Sequence, residues 1–408
     1  MAQFQAAIFF LSLTVRCILA ASAPPSTRAV MAPIKLDQRT SLYTFSANDG
    51  SSFVIDLSSS VLSLNCPRNH PTFPCNSPQC SAFTGTSFSP SCQPPHFTRC
   101  SSGACTIPLQ NSIDNSCVKA ELTRTTLNLN TTNGHNPTGP ISIPHLLSAC
   151  VPPAFLVSLP YHAQGLAPFG LTKFSLPSLL ASAVPGLKQK FALCLPSTGT
   201  ASGVLFFGEG SFFLLPPWSS AVTSYLSYTQ LVRHPEHPLD YLIPLKGIAV
   251  AQKGIGAPLR GGIARLSTTV PYSTLSRPIY KAFTSAFNKA TSGIPRVTAV
   301  KPFEICLNSS KLGGTRVGAP VGPVDLMLDG KNWTMFGANL MKDIDDSRLC
   351  LAFLDGGYRP QYEVVIGSFQ MQDNFLLFDL ENRRLGFSPT LLSLQTTCAN
   401  FNFTSSTA

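Results

Sequence analysis

Short alternations of apolar and polar residues recur along most of this chain, with Gly, Pro, Asn and Asp between them. Ser41-Leu42-Tyr43-Thr44-Phe45 alternates as a strand, Asn48-Asp49-Gly50 supplies a hairpin turn, and Ser52 to Leu57 reads as the partner strand. That strand delivers Asp56-Leu57-Ser58. A small polar turn follows, and Val61-Leu62-Ser63-Leu64 resumes the alternation. Cys117 to Asn130 is the next clear strand. Phe375 to Leu380 and Arg384 to Ser388 are strand patterns near the C-terminus. Pro278 to Ala290 is one of the few helical patterns, with Tyr280, Phe283 and Phe287 on one face as core residues.

Composition agrees with a mainly β chain. Its 408 residues, 44% hydrophobic, are enough for two domains with sizeable cores. Charged residues make up only 12%, against the usual quarter. The 35 Pro and 28 Gly fall in no low-complexity run, which favours short strands joined by turns over long helices.

Ala7 to Leu19 is mostly apolar and Ala21-Ser22-Ala23 ends in small residues, so residues 1–23 read as a secretory signal peptide. Arg16 interrupts the run, and no basic residue precedes it. No later segment approaches about 18 uninterrupted apolar residues, so a membrane span is not expected.

Cys17 leaves with the signal. The remaining twelve are Cys66, Cys75, Cys80, Cys92, Cys100, Cys105, Cys117, Cys150, Cys194, Cys306, Cys350 and Cys398. An even number in an exported chain reads as six disulfides whose pairing the sequence leaves open. Seven of them fall within residues 66–117, which marks a stapled, loop-rich excursion. Zinc is the competing use of cysteine, but no pair has zinc-knuckle spacing and no paired His follows, so neither a metal nor a cofactor is expected. Four sequons begin at Asn130, Asn308, Asn332 and Asn402 and are glycosylation candidates. Lys and Arg total 29 against 19 Asp and Glu, a formal net charge of +10. The positive residues are scattered, so a generally basic exported protein is expected. It would be attracted to acidic partners rather than to nucleic acid.

The segment from Phe53 to Cys66 resembles the first catalytic loop of the pepsin-like aspartic proteases, which reads Asp-Thr-Gly-Ser in that family. Gly165-Leu166-Ala167-Pro168-Phe169-Gly170 and Val364-Val365-Ile366-Gly367 match the apolar-apolar-Gly loops that brace the two catalytic loops from behind. Across nearly the whole mature chain, the resemblance is to plant xylanase inhibitors of the TAXI type and to basic 7S globulins. It is carried by Ser41-Leu42-Tyr43-Thr44, Pro74-Cys75-Asn76-Ser77-Pro78-Gln79-Cys80, Leu193-Cys194-Leu195-Pro196-Ser197, Ser267-Thr268, Leu385-Gly386-Phe387-Ser388 and Cys398. The resemblance implies a bilobal all-β fold with an N-terminal lobe over residues 40–215, a linker over 216–239 and a C-terminal lobe over 240–404.

The resemblance also implies a lost protease site. Two carboxyls sharing one proton are needed to activate water and polarise a peptide carbonyl. Asp56 stands in the first loop, but Ser267 stands where the second Asp belongs, so both are read as relic positions. Leu57 replaces the Thr that helps lock the loops together, and Ser58 replaces a Gly. The flap segment, Ile107 to Ser116, lacks the flap tyrosine. None of the seven His sits in a recognisable motif.

In the inhibitors, surface loops fill a glycosidase cleft and a His four residues before the last Cys reaches the target's paired carboxylates. Here that position is Leu394, and a second contact loop, Lys311 to Gly314, carries Leu312. Both are inhibitory-contact candidates, although Leu394 has no N–H to donate. The favoured expectation is a secreted, non-proteolytic defence protein of the plant cell wall that binds and inhibits a microbial glycoside hydrolase. The alternatives are a basic globulin that stores, or that binds a peptide or wall polysaccharide, and a residual aspartic endopeptidase.

Overall fold

The computed structural model describes residues 29–83, 92–215 and 220–404. The expected signal peptide and the first four residues of the expected linker, 216–219, lie outside them. Two β lobes share one platform of six antiparallel strands. Ala29–Asp37, Gly203–Gly208 and Lys190–Cys194 come from the N-terminal side, and Phe375–Asp379, Arg384–Phe387 and Ser227–Gln230 from the C-terminal side. The lobes join where Lys190–Cys194 pairs with Phe375–Asp379, with Phe191 opposite Phe378. Those two rings stack at 4.4 Å, and Tyr241 meets Phe378 edge-on at 4.8 Å. All three are fully buried. Burying a side chain of this size contributes about 2–3 kcal/mol, and a well-oriented aromatic pair adds about 1 kcal/mol. The Cys194–Cys398 disulfide ties the same platform.

The strand Ala29–Asp37 was not read from the sequence. Ala29 to Ala32 and Ile34 are buried, so its first half shows no alternation, and Pro33 hides the β signal. Ser227–Gln230, within the stretch read as a linker, is the platform's outer strand and pairs with Arg384–Phe387. Elsewhere the alternation and the structure agree closely. The hairpin strands are Leu42–Ser46 and Ser52–Asp56, and the long strand is Cys117–Thr132, folded back on Pro137–Cys150.

The helix is Arg277–Ala290, with Pro278 at its start and Ile279, Tyr280, Phe283 and Phe287 buried. Thr291 ends it, its N–H and hydroxyl both bonding the Phe287 carbonyl at 2.9 and 2.7 Å. Among the described residues, no helix is long and apolar enough to cross a membrane.

All twelve cysteines pair, as Cys66–Cys150, Cys75–Cys100, Cys80–Cys105, Cys92–Cys117, Cys194–Cys398 and Cys306–Cys350. Four bridges staple the excursion after the first hairpin. Three of these span 25 residues each, so the segment is held locally where an apolar core is small.

Candidate functional site: the cleft between the lobes

Two loops meet at the centre of the cleft, and each is delivered the same way. Ser52–Asp56 pairs in parallel with Gly165–Pro168, and Ile263–Leu266 pairs in parallel with Val364–Ile366. In the first loop the Ser59 carbonyl, three residues past Asp56, accepts the Gly170 N–H at 3.0 Å. In the second the Val270 carbonyl, three residues past Ser267, accepts the Ser368 N–H at 2.9 Å. Asp56 and Ser267 therefore open corresponding loops. Gly170 and Gly367 have no room for a Cβ, which would fall 2.7 Å from the Ser59 carbonyl oxygen and 2.6 Å from the Tyr272 backbone carbon respectively.

Asp56 is 1% exposed. Its Oδ1 accepts the Ser58 N–H at 2.8 Å, and its Oδ2 accepts the Ser112 hydroxyl at 2.7 Å. Burial pushes the carboxyl above the usual range, against the lowering effect of those two bonds and of the Arg265 guanidinium. Ser267 is also buried, and its Oγ accepts the Val270 N–H at 3.2 Å. A chain of hydroxyls links the two: Ser112 lies 3.4 Å from Thr269 Oγ1, which lies 3.3 Å from Ser267 Oγ.

Ser112 was not singled out from the sequence. It sits in the turn after Ala104–Gln110, in the flap segment, and brings that turn down onto Asp56. Asn111 fixes the turn from behind, donating to the Phe155 carbonyl and to Ser158 Oγ at 2.9 Å each. The expected loss at Leu57 has a structural counterpart. Thr268 Oγ1 crosses to the Ile55 carbonyl and the Leu57 N–H, while the Leu57 side chain is buried in the main core.

Arg265, two residues before Ser267, was also unassigned. Its Nη2 donates to Ser58 Oγ across the cleft at 2.6 Å, and its Nε lies 3.2 Å from Asp240. Asp240 in turn accepts the Tyr362 hydroxyl at 2.8 Å, and burial holds that phenol protonated. Beside this network is a cavity of about 620 Å³, floored by Ser58 and Arg265 and walled by Pro108, Gln110, Asn115, His237 and Gln361. Glu236 and His237 line it, and together with His234 they bring ligand atoms within 4.8 Å of one another. These three could hold a divalent ion, a grouping that the sequence reading did not find.

Neither inhibitory-contact candidate presents its side chain freely. Leu394 is half-buried against the cluster of Leu391, Cys398 and Phe401, in a turn where the Thr396 N–H bonds the Leu391 carbonyl. Leu312 packs on the main core. Lys311 and Arg316 near Leu312, and Ser393 and Gln395 beside Leu394, are exposed. Of the sequons, Asn130 exchanges two 2.9 Å hydrogen bonds with Asn48. Asn308 and Asn402 instead accept the Ser310 and Thr404 hydroxyls at 2.6 Å, and Asn332 is exposed.

The family models described as xylanase inhibitor N-terminal and xylanase inhibitor C-terminal match residues 43–209 and 240–389. "Chitinase CLP" of Oryza sativa subsp. japonica is 38% identical over 92% of each chain, and "Gamma conglutin 1" of Prunus dulcis is 34% identical over 98% of this chain and 97% of its own. Among solved structures, "Crystal structure of edgp" superposes with a TM-score of 0.85 at 31% identity, covering 94% of this chain and 100% of that one. An aspartic proteinase from Irpex lacteus shares the fold alone, with a TM-score of 0.56 at 13% identity over 90% of this chain and 99% of its own. With two lobes built on one pepsin-like plan and these matches along both, the chain belongs to the family of plant xylanase-inhibitor-type proteins and basic 7S globulins, relatives of the pepsin-like aspartic proteases.

Proposed function

We propose that this chain is a secreted, non-proteolytic protein that binds and inhibits a microbial cell-wall-degrading glycoside hydrolase. The observation that carries the non-proteolytic part is the pairing of Asp56 with Ser267 at corresponding positions of the two central loops. A serine hydroxyl stays protonated at any relevant pH, so it cannot share a proton with Asp56 as a second carboxylate would. Water held there would lack a general base paired with an acid. Ser112 and the Ser58 N–H occupy the Asp56 oxygens, and Arg265 joins the lobes across the floor.

The hydrolase part is supported by the inhibitor-type matches over both lobes and by the basic surface. Because Leu394 and Leu312 are half-buried, contact with an acidic glycosidase cleft would fall to their exposed neighbours, with the two leucines shaping the loops. Six disulfides suit export to an oxidising compartment.

The second reading, a globulin that stores or that binds a peptide or wall polysaccharide, is favoured by the likeness to gamma conglutin. Titration of the purified protein against xylanases and endoglucanases of several families, at mildly acid pH, separates the two. Nanomolar to micromolar inhibition of one family supports the first reading, and none across the panel sinks it. Acid proteolysis of casein that a statine-type inhibitor abolishes, and that Asp56→Asn removes, would instead establish a residual endopeptidase.

A further inference from the structure

We infer that a second crevice, where both lobes meet the connecting segment, binds one uronate unit of an acidic polysaccharide through Lys173, Arg233 and Arg383. The crevice measures about 220 Å³, about the size for one sugar ring, and its lining contains these three cations and no acid. They converge from three parts of the chain. Lys173 follows the brace loop of the N-terminal lobe, Arg233 follows the strand Ser227–Gln230, and Arg383 lies in the turn between Phe375–Asp379 and Arg384–Phe387.

Among the described residues, five other cations pair with carboxylates through Lys190, Arg265, Arg277, Arg348 and Arg384, whereas none of these three forms an ion pair. Glu381, on the same turn as Arg383, uses a carboxylate oxygen to accept the Gln189 N–H at 3.2 Å. Three like charges around one concavity raise the local potential, and an anion relieves it.

The walls select a sugar over a bare oxyanion. Leu171, Leu231 and Leu380 offer an apolar face for ring C–H groups. Gln189 Nε2 donates to Ser178 at 2.7 Å, leaving its Oε1 to accept a sugar hydroxyl. Thr172 Oγ1 accepts the Phe174 N–H at 3.3 Å, leaving its own proton to donate. A carboxylate on the ring then completes the fit, forked against an arginine. Backbone bonds set the walls beforehand, from the Leu231 N–H to the Arg383 carbonyl at 2.9 Å and from the Leu380 N–H to the Gln189 carbonyl at 3.2 Å. Such a ligand would touch both lobes at once, and its binding does not depend on inhibition of a hydrolase.

The test is calorimetric titration of the intact secreted protein at low ionic strength with oligogalacturonate, galacturonic acid, a neutral xylo-oligosaccharide and inorganic sulfate. Oligogalacturonate is expected to bind, with affinity falling as salt rises because the cations are exposed. Lys173→Gln/Arg233→Gln should weaken it at least ~10-fold at an unchanged melting temperature. Binding of the monomer as well would assign recognition to a free sugar acid, and binding of the oligomer alone to a polymer; both support the site if the variant loses them. Absence of binding to the wild type, equal binding by the variant, or equal affinity for sulfate or the neutral oligomer would overturn it.

Discussion

The Thr268 hydroxyl donates to the Ile55 carbonyl in the opposite lobe at 2.6 Å, and Thr268 Oγ1 in turn accepts the Leu57 N–H at 3.3 Å. This lock has one side only, because Leu57 offers no hydroxyl to return the contact. Thr268→Val keeps the shape but leaves a buried carbonyl and a buried N–H unpaired. A loss of about 2–3 kcal/mol is expected. Urea unfolding should show a lower midpoint at an unchanged slope, and an unchanged midpoint would mean that the lobes are held together elsewhere.

Asp56 gives the fold a pH dependence of definite sign. Its folded-state pKa is raised by burial, so the carboxyl contributes most to stability below its unfolded value near 3.8, and that contribution is lost as pH rises through the folded pKa. Each unit of the rise corresponds to about 1.4 kcal/mol. Asp56→Asn should therefore match the wild type near pH 3 and exceed it at pH 7. Thermal melts across that range test the sign, and a variant less stable at pH 7 than at pH 3, relative to wild type, would reverse it.

Arg265 is held by Asp240 and Ser58 inside the cleft, so its removal strands a nearly buried carboxylate beside Tyr362. Arg265→Met should cost about 3 kcal/mol, since breaking one side of a buried pair leaves an uncompensated charge. Arg265→Met/Asp240→Asn should recover part of that loss. A double-mutant cycle gives the coupling, and additive effects would show that the two act separately.

How much of this was legible in the sequence depends on how local each signal was. Leu42–Ser46, Ser52–Asp56 and the helical face of Tyr280, Phe283 and Phe287 carry their own periodicity, and the structure places them as the pattern predicts. Ala29–Asp37 carries little, because its first half is buried without alternation and Pro33 interrupts it, and Ser227–Gln230 carries little because its pairing partner Arg384–Phe387 lies far along the chain. At the cleft, the motif loops were recognisable from residue types alone. Ser112, Arg265 and Asp240 were not, because each acquires its partner only when separate segments fold together. Leu394 shows the converse. Its place in the sequence suggested a surface contact, and the short turn around it leaves the side chain half-buried.

The Cys194–Cys398 bridge closes a loop of 204 residues across the shared platform. Cross-linking so long a loop restricts the unfolded chain, and the chain-entropy relation puts the stabilisation at about 5 kcal/mol. Both cysteines are buried, so Cys194→Ala/Cys398→Ala also leaves space in the cluster that holds Phe375 and Leu391. The double variant should unfold at a markedly lower denaturant concentration. Because the other five bridges each join residues within one lobe, its lobes should also come apart before either lobe melts. Two resolved calorimetric transitions in place of one would support this. A single transition at the wild-type midpoint would mean that the antiparallel pairing of Lys190–Cys194 with Phe375–Asp379 holds the lobes without the bridge.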